Sequence, residues 1–283
     1  MRHGIVFPGG LDLPTMVAAG REAEAAGWDG VFYWDGVVPG ARGYDPWVVL
    51  AAIAGATERV RLGAVLVPLP WRKPWLVARA AATLDQLSGG RAILPVGLGA
   101  VHPPEMEAGA TIVGEPVDRR ERAELLDEGL EIVSGLSTGQ PFSYQGRRYR
   151  LGDVTLPPPL QRPRVPIWVV GAWGSPASMA RALRYDGWMP ARVSEAELPA
   201  MRDYLEAHRP TDRPFDVTWE GRTPGDDPAA AAEIVRPYAQ AGVTWWLETM
   251  WEAPNGPADV RRRIGAGPPR ERGDAARRSG YDR

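Results

Sequence analysis

The segment from Arg59 to Gly99 constrains the fold more than any other, because it reads as strand, proline-punctuated loop, helix, tight turn and second strand. Val60, Leu62 and the run from Ala64 to Val67 form a short apolar strand. It is ended by Pro68 and Pro70, which have no N–H to give to a ladder. Leu76, Ala80, Thr83, Leu84 and Leu87 then recur at helical spacing. Pro74 opens that helix, where a missing N–H costs nothing. Ser88, Gly89 and Gly90 stop it, and Ile93, Leu94 and Val96 form a second buried strand before Gly97 and Gly99. A strand–helix–strand unit of this length demands parallel pairing through a right-handed crossover.

The same alternation recurs along the chain. Apolar strands are expected at 3–8, 30–35, 60–67, 92–98, 166–172, 187–190, 215–220 and 243–250. Helical patterns follow at 14–26, 46–57, 74–87, 118–136, 177–185, 195–208, 228–241 and 257–264. Eight βα units specify an α/β fold of the closed (β/α)8 TIM-barrel type rather than an open sheet. Residues 1–264 read as one domain. A small hairpin interrupts it at about 142–156, turning at Gln145-Gly146. Residues 265–283 are rich in Pro, Gly and Arg and read as a disordered tail.

In such a barrel the active site is the mouth at the C-terminal ends of the strands. That rule selects Phe7, Asp35, Val65, Leu66, Trp71, Arg72, Gly99, His102, Ala172, Trp173, Gly174, Ser175, Trp188, Glu220 and Glu248. The set is largely aromatic and apolar, which suits a flat, partly hydrophobic ring. Asp35 reads either as a loop-capping carboxylate or as a group that bonds cofactor or substrate. His102 is the first candidate for a general acid or base, since its ordinary pKa lies near neutrality; a solvated loop histidine is the plainer reading. Gly171 to Ser175, between a strand and a helix, can bring backbone N–H groups to an anion, although a plain βα turn has the same composition. Phe7, Trp71, Arg72, Trp188, Glu220 and Glu248 are the substrate-facing candidates, with salt-bridge or solvated roles as alternatives for the charged ones.

Several stretches resemble the bacterial-luciferase-like flavin-dependent oxidoreductases. These are LGAVLVPLPWRKP at 62–74, ATLDQLSGGR at 82–91 and GLG at 97–99. AEAAGWDGVFYWD at 23–35, DPWVVLAAIAGATERVRLG at 45–63, and VPIWVVGAW with the DGW that follows it, within 165–188, carry the same likeness. The likeness implies a luciferase-like barrel in which Val65 and Leu66 flank a non-proline cis peptide behind the cofactor ring. It also implies that Asp35, Gly97, Gly99 and the turn Gly171-Ala172-Trp173-Gly174-Ser175 contact the cofactor. Two departures bear on which cofactor. Leu98 stands where luciferase has a phosphate-binding arginine, which weakens the FMN reading, and Ala100 replaces a glutamate common in users of the deazaflavin F420. A third departure is Gly36, in place of the histidine that follows this aspartate in F420-dependent members. The resemblance implies F420 as cofactor, with FMN as the alternative. The reaction is then hydride transfer to, or monooxygenation of, a small apolar or aromatic substrate, unless the barrel is an inactive ligand binder.

Composition removes other classes. There is no cysteine, so disulfides and thiolate catalysis are excluded. Three histidines are too few for the multi-histidine metal site of a hydrolase barrel, so no metal is expected. Lys73, the sole lysine, follows the third strand within a loop, which disfavours Schiff-base chemistry. A net charge of −2 gives no footprint for nucleic acid or membrane. A cytoplasmic enzyme is expected. The apolar helix around VVLAAIAGA is a candidate homodimer face, although packing on its own barrel explains it as well.

Overall fold

The computed structural model describes residues 1–36, 43–101, 104–251 and 253–269. Eleven strands form among them. They are β1 (Arg2–Phe7), β2 (Gly30–Tyr33), β3 (Arg61–Ala64), β4 (Val67–Pro68), β5 (Leu94–Gly97), β6 (Phe142–Gln145), β7 (Arg150–Val154), β8 (Ile167–Ala172), β9 (Gly187–Ala191), β10 (Asp216–Gly221) and β11 (Trp245–Thr249). Apart from β6 and β7, which pair antiparallel as the expected hairpin, all join one parallel sheet in the order β3-β2-β1-β11-β10-β9-β8-β5-β4. β3 and β4 are two halves of one barrel strand. The first pairs with β2, the second with β5, and a bridge from Leu62 to Ala92 nearly closes the ring. The expected barrel is therefore observed.

The helices are α1 (Leu13–Ala25), α2 (Pro46–Ala54), α3 (Pro74–Ser88), α4 (Pro104–Ile112), α5 (Arg119–Leu136), α6 (Pro176–Leu183), α7 (Leu198–His208), α8 (Pro228–Gln240) and α9 (Pro257–Gly265). Their starts are written locally. Asp12, Asp45, Asp118 and Asp227 each accept backbone N–H bonds from the first turn, and proline sits in the first turn of α2, α3, α6, α8 and α9. α4 is absent from the sequence reading. Ile112 at its end is exposed, so it presents no apolar stripe. Of residues 265–269, expected in a disordered tail, Gly265 ends α9, Pro269 is buried, and the Gly267 carbonyl accepts from Arg263 at 2.7 Å. Residues 270–283 lie outside the described ones. No described helix is long and apolar enough to cross a membrane.

Strand residues alternate between two buried layers. Ile5, Phe7, Val31, Tyr33, Leu62, Val96, Val169 and Trp188 pack against the helices. Val6, Phe32, Val65, Ile93, Trp168, Met189, Trp245 and Leu247 fill the barrel. Its lower half is plugged by aromatic rings: Trp168 and Trp245 lie 5.4 Å apart between centroids, and Phe32 lies 5.8 and 5.9 Å from them. Glycine makes the room. A Cβ on Gly4 would sit 2.4 Å from the Phe32 ring, and one on Gly187 would sit 2.4 Å from Trp168. With that end filled, the barrel interior opens toward the C-terminal ends of the strands.

Of the residues that recur at helical spacing in α3, Leu84 is buried together with Val77, Ala78, Ala81, Ala82 and Asp85, while Leu76 and Leu87 remain 47% and 54% exposed. The helix is apolar on two sides, and only one meets the barrel.

Candidate active site

The alternation also sorts the mouth candidates. Phe7 is fully buried in the outer layer beside Ile5, so it faces helices and not the mouth. Trp188 is likewise outward, with its indole N–H donating to the Gly171 carbonyl at 2.9 Å. Gly171 is outward too, since a Cβ there would meet the Trp188 ring at 2.5 Å. Trp173 stacks on Trp188 at 6.1 Å and donates its N–H to Glu197 at 3.0 Å, leaving the cavity clear. Glu248 is buried between β11 and α9. It accepts from Thr223, Trp246 and Arg263, the last at 3.2 Å, and so serves structure rather than substrate. Phe7, Trp188 and Glu248 are turned from the mouth for one reason: a barrel strand is buried on both faces, and only one faces the site.

A cavity of about 710 Å³ opens where β4, β5, β8 and β9 end. Its apolar wall is Leu66, Val170, Ala172 and Ala191. Val65 and Leu66 are joined by a cis peptide bond; Val65 points into the barrel interior and Leu66 into the cavity wall. Packing alone already calls for glycine at 97 and 99. A Cβ on Gly97 would lie 3.1 Å from Leu66, and one on Gly99 would lie 2.8 Å from the Trp71 indole. Trp71 thus covers Gly99 and is pinned by its N–H to the Pro116 carbonyl at 3.0 Å.

The polar side of the cavity is Arg119, Arg122, Arg192 and Ser178, with Glu107. Arg122 is nearly buried. Its Nη1 donates to the Leu98 and Gly99 carbonyls at 3.1 and 2.8 Å, while its buried Nε has no partner. Burial pulls its pKa below the ordinary arginine value, so an anion in the cavity would relieve that cost. Arg192 holds a left-handed backbone, φ 64°, unusual outside glycine. By contrast the 171–175 turn is mostly engaged already. Ala172, Trp173 and Ser175 give their N–H groups to Ser178 Oγ, the Ala191 carbonyl and the Ala172 carbonyl. Anion-holding capacity therefore lies with the arginines, and the amide turn adds little. Sequence reading missed them. Helices of a βα barrel begin at the mouth, so the first turn of α5 was the available signal for Arg119 and Arg122.

Asp35 and Arg72 meet across the mouth. The guanidinium grips the carboxylate through Nε and Nη2, and the Asp35 side chain is only 1% exposed. Burial pushes the Asp35 carboxyl above its ordinary pKa, Arg72 draws it down, and Asp45 adds a small upward push. Each is the other's partner, and Arg72 stays 34% exposed with only Nε and Nη2 in the pair. Glu220 stands at the upper end of β10, with its carboxyl pushed up by burial. His102 lies outside the described residues.

The molecule is a parallel TIM barrel stoppered by aromatics, with a half-apolar, arginine-edged cavity at its open end. The chain belongs to the luciferase-like monooxygenase family, whose model matches residues 1–282, and it is an oxidoreductase. It is 34% identical over 241 residues to an F420-dependent glucose-6-phosphate dehydrogenase of Kineococcus radiotolerans, covering 79% of this chain and 68% of that one. It is 35% identical over 139 residues to an FMNH2-dependent dimethylsulfone monooxygenase of Pseudomonas putida, covering 48% of this chain and 36% of the relative. In fold it is similar to the coenzyme F420-dependent tetrahydromethanopterin reductase of Methanopyrus kandleri. The TM-score there is 0.73 at 17% identity, over 94% of this chain and 98% of that one.

Proposed function

We propose that the protein is a cytoplasmic oxidoreductase that uses coenzyme F420, with FMN as the alternative, to act on a small apolar or aromatic substrate. One observation carries this reading: the cavity joins an apolar wall at Leu66, Val170, Ala172 and Ala191 to the guanidinium groups of Arg119, Arg122 and Arg192. These residues fit the group. The wall would back the ring, and the unpartnered Nε of Arg122, with Arg119, Arg192 and Ser178, would hold the acidic tail. When bound, such a cofactor supplies the hydride or the activated oxygen. The chain's own part is to orient the ring, exclude water from one side of it and manage protons. Preference for F420 rests on the longer match to the F420-dependent relative and on an arginine set suited to a tail of more than one anion. Fluorescence titration with F420, reduced F420 and FMN tests it. Micromolar binding is expected, tightest for F420 and weakened by salt; no binding of any of the three would remove the reading.

The unpartnered face of α3 supports a homodimer. Leu76, Ala80, Thr83 and Leu87 form, with Trp47, Val48 and Ala51 of α2, an apolar groove of about 540 Å³. Val48, Leu76 and Leu87 line this groove yet stay exposed, so a two-fold copy can bury them against the same residues of its own face. Leu87→Arg is expected to turn a dimer into a folded monomer, measured by light scattering behind size exclusion. A wild-type monomer at tens of micromolar, on the order of concentrations that populate ordinary dimers, would refute this.

A further inference from the structure

The side chains of β10 divide cleanly. Val217 joins the outer core, Trp219 packs on Tyr238 of α8 at 4.6 Å, and a Cβ on Gly221 would lie 2.3 Å from the outward Trp246 ring. Thr218 and Glu220 therefore face the barrel interior. Glu220 is the upper of the two, level with Leu247 on β11. On the other side β10 pairs Val217 with Trp188, and that register carried upward sets Glu220 level with Ala191, which lines the cavity. Glu220 is the one ionisable side chain turned inward at the upper end of a barrel strand among the described residues. Its side chain is exposed to solvent at the mouth, and the Trp251 indole hydrogen-bonds it.

We propose that Glu220 is the proton-transfer group of this active site. The inference rests on the oxidoreductase reading above and names the residue that handles the proton. Hydride added to the carbon of a carbonyl leaves an oxygen anion that needs a proton, and Glu220 O–H supplies it to give the alcohol. The carboxylate left behind recovers a proton from water at the mouth. In the oxidising direction the carboxylate takes the hydroxyl proton as hydride departs. The reductant is the reduced deazaflavin already invoked. Burial raises the Glu220 carboxyl above the ordinary glutamate value, and the Trp251 hydrogen bond offsets this only in part. Its flanking inward neighbours, Leu247 and Thr249 on β11 and Met189 and Ala191 on β9, carry no charge, and Arg192 next to Ala191 is exposed. The upward direction favours the protonated carboxyl that a general acid uses.

The test has one readout without cofactor and one with it. In protein carrying side-chain 13C-labelled glutamate, one carboxyl signal is expected to titrate above the usual glutamate range and to vanish in Glu220→Gln. The folded-state pKa exceeds the unfolded one, so the wild type loses stability as pH rises through that interval. The variant escapes this loss, and its relative melting temperature climbs over the same pH range. With reduced F420 and a panel of small ketones and aldehydes, Glu220→Gln is expected to lower kcat about 100-fold or more. F420 affinity should stay within about threefold, and Glu220→Asp should recover part of the rate. A normal glutamate titration, or unchanged kcat and pH profile in Glu220→Gln, overturns the assignment. Failure of every flavin to bind wild type would sink the cofactor reading instead, and the 13C titration would still decide whether Glu220 is the elevated acid.

Discussion

Replacing Arg91 by methionine is expected to cost the protein about 3–5 kcal/mol of unfolding free energy, by the usual cost of orphaned buried acceptors. Arg91 is buried, and its guanidinium stitches the C-terminal end of α2 to the entries of β3 and β5. Nε donates to the Ser88 carbonyl at 2.6 Å. Nη1 donates to Thr57 Oγ1 at 3.0 Å and the Val60 carbonyl at 2.9 Å, and Nη2 to the carbonyls of Ala54 and Thr57 at 2.9 Å each. Methionine fills much of the same volume, so the loss would report hydrogen bonding rather than a cavity. Four main-chain carbonyls would be left buried without this donor, at roughly 1–3 kcal/mol each before water relieves some of them. Arg91→Lys should recover less than half, because one ammonium cannot span a fork of acceptors. Urea denaturation with an unchanged m-value measures it. A loss below about 1 kcal/mol would show that these bonds are replaced by water.

Arg91 also explains what the sequence could and could not reveal. The ATLDQLSGGR stretch that carries the family likeness lies at the lower end of the barrel, opposite the mouth, where Asp85 accepts from Gln161 and Arg91 binds carbonyls. Its residues are legible because they build the scaffold, and they say little about chemistry. The strands were legible for a similar reason: short apolar runs between prolines and glycines have few other uses. Orientation was not. When both faces of a strand are apolar, period two separates them without saying which looks inward, and Phe7, Trp188 and Glu248 were misplaced on that account. Helical spacing in α3 likewise marks the helix without separating buried Leu84 from exposed Leu76 and Leu87, since the helix is apolar on two sides. Asp35 and Arg72 stand far apart in sequence, so no local pattern announces their pairing. Arg119, Arg122 and Arg192 were hidden by company, in a chain whose basic charge is nearly all arginine. The cis bond at Val65-Leu66 was accessible only through the resemblance, as nothing in those two residue types asks for it.

Ala172→Trp is expected to abolish flavin binding, raising the Kd for F420 and for FMN about 100-fold or more, while leaving the fold intact. Ala172 turns inward from the end of β8 and forms part of the cavity wall with Val170 and Leu66. An indole there occupies open volume, so it displaces ligand without displacing core. The substitution is close to neutral for the barrel, since overpacking costs arise only where side chains already fill the space. Trp173 next door is the natural control. It faces away, stacked on Trp188, and Trp173→Phe removes only its N–H bond to Glu197. That control should bind within about threefold of wild type, because a flat ring in the cavity never meets this side chain. Far-UV circular dichroism and thermal melting establish that both variants fold, and fluorescence titration reads the affinities. If Ala172→Trp bound F420 as wild type does, the ring would have to sit outside the 710 Å³ cavity, and Leu66, Arg122 and Arg192 would lose their assigned roles together.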